Sequence, residues 1–308
     1  MKIKLTDILI LSDGRPGHEN QSFGLAEALR RRTGADLQCV RLDLKKGVLA
    51  RMAQARQADV GLAKPQLLIA TGHRTHLPML LAARRFNAKS VVIMKPSLPV
   101  WLFDLCLAPL HDLSGWKAGG RILATRGSLN RLPEIPSPKT ATGVILIGGP
   151  SKHHEWSGEP LVAAIKEIVK RQPELIWTIA NSRRTPESFL REVAALGLSV
   201  KMMPHEDANS GWLPSVLMEA QVVWVTEDST SMIFEAITAR ARVRLLPLPA
   251  KRRGDRVVRA VDDAVAAGFA VRYADWLLPC RQLALAGPLH EAGRCADEIV
   301  KRWFVSDR

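Results

Sequence analysis

The chain has 308 residues, too long for one ordinary core and suited to two domains of about 150 residues each. Its 47% hydrophobic content supplies enough apolar material for packed cores and excludes disorder as the starting assumption. Lys plus Arg number 44 against 30 for Asp plus Glu, and the resulting net charge of +14 favours anionic partners: nucleotide phosphates, nucleic acid or an acidic lipid surface.

The first apolar run, residues 7–11, is only a strand long. Ser12-Asp13-Gly14-Arg15 follows it where a signal peptide would carry a small-residue cleavage site, so the run reads as the first strand of the fold. No apolar stretch reaches the roughly 18 residues that a membrane helix needs. A helix is expected over 20–32, with Phe23, Ala26 and Leu29 at three-to-four spacing. A strand over 37–42 and a helix over 48–56 come next. A buried-type strand over 67–70 ends in Thr71-Gly72-His73. A helix over 77–85 leads to a strand over 90–94, and shorter strands are expected over 105–108 and 122–124. Strands alternating with helices predict a parallel sheet covered on both faces.

Pro133, Pro136 and Pro138 stiffen the stretch that follows into an extended linker. The pattern restarts at 143–147 and continues with an amphipathic helix over 161–170. Strands over 175–180, 200–203, 222–225 and 243–246 alternate with further helices. A final helix over 289–304 can, in a two-domain design, pack back across the first domain. The expected organisation is an α/β chain of two doubly wound Rossmann-like domains with a cleft between them. The first spans 1–130, a linker 131–142, the second 143–288, and the terminal helix 289–308. Cys39, Cys106, Cys280 and Cys295 form no CxxC pair and no metal spacing, which fits reduced thiols in a cytoplasmic protein.

Ligands of open parallel sheets sit beyond the carboxyl ends of the strands, so the informative loops are those that follow strands. Residues 12–20 place Gly14 and Gly17, which permit positive φ and close ligand approach, beside Arg15 and His18 at a helix start that favours anions. A tight turn shaped by its glycines is the plainer alternative. Residues 148–154 repeat this logic with Gly148, Gly149, Ser151 and Lys152. The adjacent His153 and His154 diverge and lack a third ligand, so no metal site is expected. Arg183 and Arg184 stand before Pro186 at another helix start, where they either clamp phosphate or form a solvated basic turn. Residues 226–236 are the strongest signal: a strand ends in acids and hydroxyls and a helix begins. Ser229, Thr230 and Ser231 are expected to cap that helix, and Glu235 lies one turn in, within reach of ribose hydroxyls. His73, the His111-Asp112 turn, the 125–130 segment and the basic run 251–256 are lesser strand-end or loop candidates.

Five strings occur in order: SDGRPGHENQ (12–21), PLHD (109–112), GGPSKH (148–153), SRRTP (182–186) and EDSTSMIFEA (227–236). Together they resemble the mitochondrial fission (elongated mitochondria) family and its bacterial members, over residues 8–250. The resemblance implies a glycosyltransferase B-like fold and, for bacterial members, transfer of a sugar from a nucleotide-activated donor to a cell-envelope acceptor. On that implication the second domain holds the donor through Gly148, Gly149, Ser151, Arg183, Ser229, Thr230, Ser231 and Glu235. Gly14, Gly17 and His18 face the acceptor and the leaving diphosphate. His18, with Asp13 as the alternative, is the base that deprotonates the acceptor hydroxyl. The absence of an Asp-x-Asp string agrees with metal-independent transfer; no cofactor is expected, with the nucleotide-sugar as donor substrate. A nucleotide-sugar epimerase of the short-chain type would need a dinucleotide fingerprint and a Tyr-x-x-x-Lys pair; Tyr273, the single tyrosine, has Trp276 and Leu277 there.

Two competing functions remain. One is a glycosyltransferase-like scaffold that has lost catalysis. The other, nucleic-acid binding, is disfavoured, because aromatics are only 5% of the chain, form no stacking series, and the cations are dispersed. Peripheral contact with an anionic membrane on its inner face fits the basic loops and an envelope glycolipid or saccharide acceptor.

Overall fold

The computed structural model describes residues 4–56, 64–113, 115, 118–209, 211–252, 254–278 and 286–304. Cys280 and Arg253 lie outside them. The chain divides into two compact units, Met1–Arg131 with His290–Arg308, and Leu132–Leu289.

Unit 1 alternates β1 (Asp7–Ser12), α1 (Pro16–Thr33), β2 (Asp36–Arg41), α2 (Val48–Arg56), β3 (Leu67–Thr71), α3 (His76–Phe86), β4 (Lys89–Ile93), β5 (Leu105–Pro109) and β6 (Ile122–Thr125). Its six strands are parallel in the order β2-β1-β3-β4-β5-β6. β1 is buried throughout, because its alternate residues feed opposite faces. Ile8 and Ile10 pack with Leu25 and Leu29 of α1, whereas Leu9 and Leu11 pack with Met79 and Ala82 of α3. The terminal helix α10 (Glu291–Trp303) joins the first of these clusters. It buries Ala292, Cys295, Ala296 and Ile299 at three-to-four spacing, and Arg32 of α1 holds its Asp297 at 2.6 Å.

Unit 2 contains β7 (Thr140–Leu146), α4 (Gly158–Arg171), β8 (Ile176–Ala180), α5 (Glu187–Ala194), β9 (Val200–Met203), α6 (Trp212–Glu219), β10 (Ala220–Thr226), α7 (Thr230–Thr238), β11 (Arg242–Leu246), α8 (Arg256–Ala266), β12 (Ala270–Arg272) and α9 (Tyr273–Trp276). The parallel order is β12-β11-β10-β7-β8-β9. Val144 and Leu146 face the cluster under α6, α7 and α8, and Ile145 faces the one under α4 and α5.

Three boundaries differ from the sequence reading. α1 begins at Pro16, not at residue 20, because proline at the first helical position loses no hydrogen bond there. His18 is therefore in the helix's first turn. β7 begins at Thr140, inside the stretch read as linker. The preceding Lys139 donates from Nζ to the carbonyls of Leu217, Met218 and Ala239 at 3.2, 2.9 and 2.6 Å, which ties this stretch into unit 2. Gly143 inside β7 is explained by Trp177, whose ring occupies the space a Cβ would take. β12 was not foreseen; three residues are too few for a periodic signal.

Candidate functional site

Each sheet has one point where successive crossovers leave in opposite directions. In unit 1 it falls between β1 and β3, and in unit 2 between β7 and β10. Loops at such points splay apart and leave room for a ligand.

In unit 1, Gly14 adopts φ +73° and turns the chain directly from β1 into α1. Gly17 lies within the helix and has no positive φ, contrary to expectation. The turn folds Asp13 under the helix start, where its side chain is only 3% exposed and accepts from His18 Nδ1 at 2.9 Å. Asp13 and His18, read as alternative bases, are one pair. A carboxylate at Nδ1 fixes that nitrogen as the protonated one in the neutral ring and leaves Nε2 as the acceptor. Gly72, at the end of β3, closes over the pair. A Cβ there would lie 2.7 Å from His18 Nδ1 and 2.8 Å from Asp13 Oδ2. It is this glycine, and not the exposed His73, that touches the site. Arg15 is exposed, its Nε 3.8 Å from Asp13 Oδ2.

Ser12 donates to Glu19 at 2.7 Å, and Arg41 donates to the same carboxylate at 2.7 and 3.0 Å. Burial pushes Glu19 up, but the bonds from Arg41 and Ser12 outweigh it and hold the carboxyl below its ordinary value. Ser22 and Thr71 share a buried hydrogen bond of 2.7 Å that fastens α1 to the end of β3.

In unit 2, three loops converge on Asp228, whose side chain is fully buried. Gly149 N–H donates to its Oδ2 at 3.2 Å and Arg184 Nη2 at 2.6 Å. Arg184 also donates to Ser229 Oγ at 3.1 Å and to the Gly149 carbonyl at 2.9 Å. Gly148 donates to Thr226 Oγ1 at 2.8 Å. A Cβ on Gly148 would overlap the Asp228 carboxylate, and one on Gly149 would overlap the Arg184 backbone. These glycines are needed for the loops to touch. Thr185 Oγ1 donates to the carbonyls of Ile147 and Gly148.

The hydroxyl cap expected for α7 is not made. Ser229 is the N-cap residue, yet its side chain accepts no bond from the helix, because Arg184 and Asp228 engage it. The first-turn N–H groups of α7, at Thr230 and Ser231, consequently keep their anion-binding character. Ser231 is exposed and Glu235 half-buried. Arg184, expected either to clamp phosphate or to lie in a solvated basic turn, holds the loops together through Asp228, Ser229 and the Gly149 carbonyl. Arg183 and Lys152 are the exposed cations beside them. Ser151 Oγ accepts from His153 and His154 N–H groups at 3.1 and 3.0 Å and so shapes its own loop. His154 is buried, and burial holds its imidazole below the ordinary value against the opposing charge of Asp228. His153 instead pairs with Asp255 at 2.8 Å. Glu227 faces away, toward Arg272 at 3.0 Å.

Two doubly wound parallel sheets, each with a glycine-bearing first loop at its switch point, define the glycosyltransferase B class of fold. Residues 16–303 match the Mitochondrial fission ELM1 family, and the chain belongs to it. An uncharacterised protein of Rickettsia prowazekii, RP120, is 22% identical over 295 residues, covering 76% of this chain and 81% of its own. Among solved structures, a UDP-N-acetylglucosamine 2-epimerase described as such for Listeria monocytogenes aligns with a TM-score of 0.63 at 12% identity, over 97% of this chain and 95% of that one. MurG of Acinetobacter baumannii aligns with a TM-score of 0.56 at 14% identity, over 96% and 99%. The missing dinucleotide fingerprint and Tyr-x-x-x-Lys pair thus bear only on the short-chain epimerases, not on an epimerase with the present fold.

Proposed function

We propose that this protein transfers a sugar from a nucleotide-activated donor to a hydroxyl acceptor, without a metal. The observation that carries the reading is the Asp13–His18 pair at the unit 1 switch point. Asp13 holds the imidazole by Nδ1, and Nε2 takes the proton of the attacking hydroxyl as the glycosidic bond to the donor phosphate breaks. The α7 start, with Arg183 and Lys152 nearby, is suited to the diphosphate, and Glu235 to the ribose hydroxyls. Gly14 and Arg15 would stand beside the reacting groups. An envelope glycolipid or saccharide as acceptor would bring the protein to the inner face of the membrane. Among the described residues, no helix is long and apolar enough to cross it.

The test is release of UDP, GDP or ADP from the corresponding activated sugars, and of CMP from CMP-activated sugars, with acceptor saccharides present and EDTA added. His18→Asn and Asp13→Asn should each lower turnover by about 100-fold or more while the protein stays folded. Unchanged turnover in His18→Asn would remove the base assignment. Epimerisation of the same donor is the second reading, favoured by the likeness in fold to the 2-epimerase. It would show as a changed sugar configuration without need of acceptor. A catalytically inactive scaffold would bind donor and release nothing.

A further inference from the structure

One face of the unit 1 sheet leaves apolar side chains in solvent at the carboxyl ends of its strands. Val48 and Leu49 in the first turn of α2 are 42% and 81% exposed, and Leu77 in the first turn of α3 is 44% exposed. Leu110, directly after β5, is 49% exposed. Single exposed apolar residues call for no account, but these lie together. α2 and α3 follow β2 and β3, pack along each other, and share the cluster of Ala55, Met79 and Ala82. Their starts are therefore side by side, at the same end of the sheet. Leu113 brings the turn after β5 onto the same cluster. Cations flank these residues. Lys45 and Lys46 stand in the turn before α2 and Arg74 in the turn before α3, all exposed. The acids at this end are engaged: Asp13 by His18, Glu19 by Arg41, Asp43 by Lys46, and Asp112 lies beside His111. Neither α2 nor α3 carries an acid in its first turn, so both dipoles present their positive ends there as well. The strand order β2-β1-β3 puts the end of β1, and with it the Asp13–His18 pair, between the strand ends that lead into the two helices.

We propose that the first turns of α2 and α3, with the turn before each, dock on an anionic lipid bilayer. The leucines enter the headgroup boundary, and Lys45, Lys46 and Arg74 meet lipid phosphates. A second copy of the chain is the poorer occupant, because apposing this surface with itself sets cation against cation. Docked in this way, the chain holds His18 Nε2 at the membrane face, where a lipid-borne acceptor presents its hydroxyl; this last step rests on the reading of His18 as the base.

The test is sedimentation of the full chain with vesicles of phosphatidylcholine alone and of phosphatidylcholine mixed equally with phosphatidylglycerol. The wild type should bind the mixed vesicles more tightly than the neutral ones, and less tightly as salt is raised. Lys45→Ala with Arg74→Ala should weaken binding about 25-fold, about fivefold for each cation near an anionic surface. Leu49→Ser with Leu77→Ser should weaken it about tenfold or more. These side chains are exposed, so both double variants should melt with the wild type. Ile176→Ser, which alters an exposed apolar residue of unit 2, should bind as the wild type does. Binding without preference for anionic vesicles, or binding that survives both double substitutions, would overturn the proposal. So would light scattering that finds a dimer broken by Leu49→Ser with Leu77→Ser. Sugar transfer to a soluble acceptor saccharide separates the docking surface from the base reading. It should be unchanged in Leu49→Ser with Leu77→Ser and lost in His18→Asn, which should still bind vesicles. Turnover without vesicle binding would remove the docking surface and leave the base; vesicle binding without turnover would do the reverse.

Discussion

Gly72→Ala is the substitution most informative about the Asp13–His18 pair, and Gly14→Ala is its control. Both glycines have positive φ, +97° and +73°, so alanine is strained at either. At Gly14 nothing lies within 4 Å of the added Cβ, and the expected cost is the backbone term alone, about 1–2 kcal/mol. Gly72 has ψ 143°, a region nearly closed to other residues, so its backbone term is about 1–3 kcal/mol. Its Cβ would also lie 2.7 and 2.8 Å from His18 Nδ1 and Asp13 Oδ2 and must push them apart. Asp13 is 3% exposed, and a buried carboxylate that loses its donor costs about a further 1–3 kcal/mol. The sum for Gly72→Ala is about 2–6 kcal/mol against about 1–2 for Gly14→Ala. Urea denaturation measures both, and proton NMR follows the low-field signal of the hydrogen-bonded Nδ1 proton of His18. That signal should persist in Gly14→Ala and vanish in Gly72→Ala. Equal stabilities, with the signal kept in both, would refute the inferred contact.

Three further outcomes are expected. A double-mutant cycle on Arg184→Met and Asp228→Asn should give a coupling energy of about 2 kcal/mol, reduced from that of a fully buried pair because Arg184 is 41% exposed; additive losses would show that the two do not hold the loops together. His76 is buried beside Phe103, and burial, helped by His73, lowers its pKa to about 4. Its folded value lies below its unfolded one, so the unfolded state takes up the proton first and stability is lost as pH falls from about 6.5 towards 4. The full loss is about 3 kcal/mol. His76→Gln should narrow the difference between denaturation curves at pH 7 and pH 4.5, and an unchanged difference would contradict the assignment. Gly148→Ala should destabilise unit 2 by about 3 kcal/mol, because its Cβ displaces the buried Asp228 carboxylate from its partners; a melting curve like the wild type's would contradict this.

The architecture was legible wherever a strand is buried on both faces. β1, β3, β5 and β10 are apolar runs ended by Gly, Pro or acids, and the restart at β7 signalled the second unit. The short edge strand β12 offered no such run. Asp13 and His18 were both visible as site residues, but that they are partners depends on Pro16 starting α1 immediately after the Gly14 turn. Asp228 stood inside the strongest motif without a readable role. Its partners Arg184 and Gly149 are 44 and 79 residues away, and only the sheet order brings them together. The capping expectation for Ser229 failed for the same reason: a distant arginine claimed the hydroxyl. Gly72 left one trace in the sequence, a glycine at a strand end beside a histidine of more obvious chemistry.

Recognition of a nucleotide-activated sugar is tested by a thermal-shift series with UDP, GDP, CMP, ADP and their sugar conjugates. A ligand bound to the folded state raises the melting temperature by mass action, by about 2.7 kcal/mol of stability at a hundred times its dissociation constant. One nucleotide and its conjugates should raise the melting temperature, and the shift should be lost in Glu235→Ala and reduced in Arg183→Ala. No shift with any of them, or a shift indifferent to both substitutions, would contradict nucleotide-sugar recognition at the start of α7.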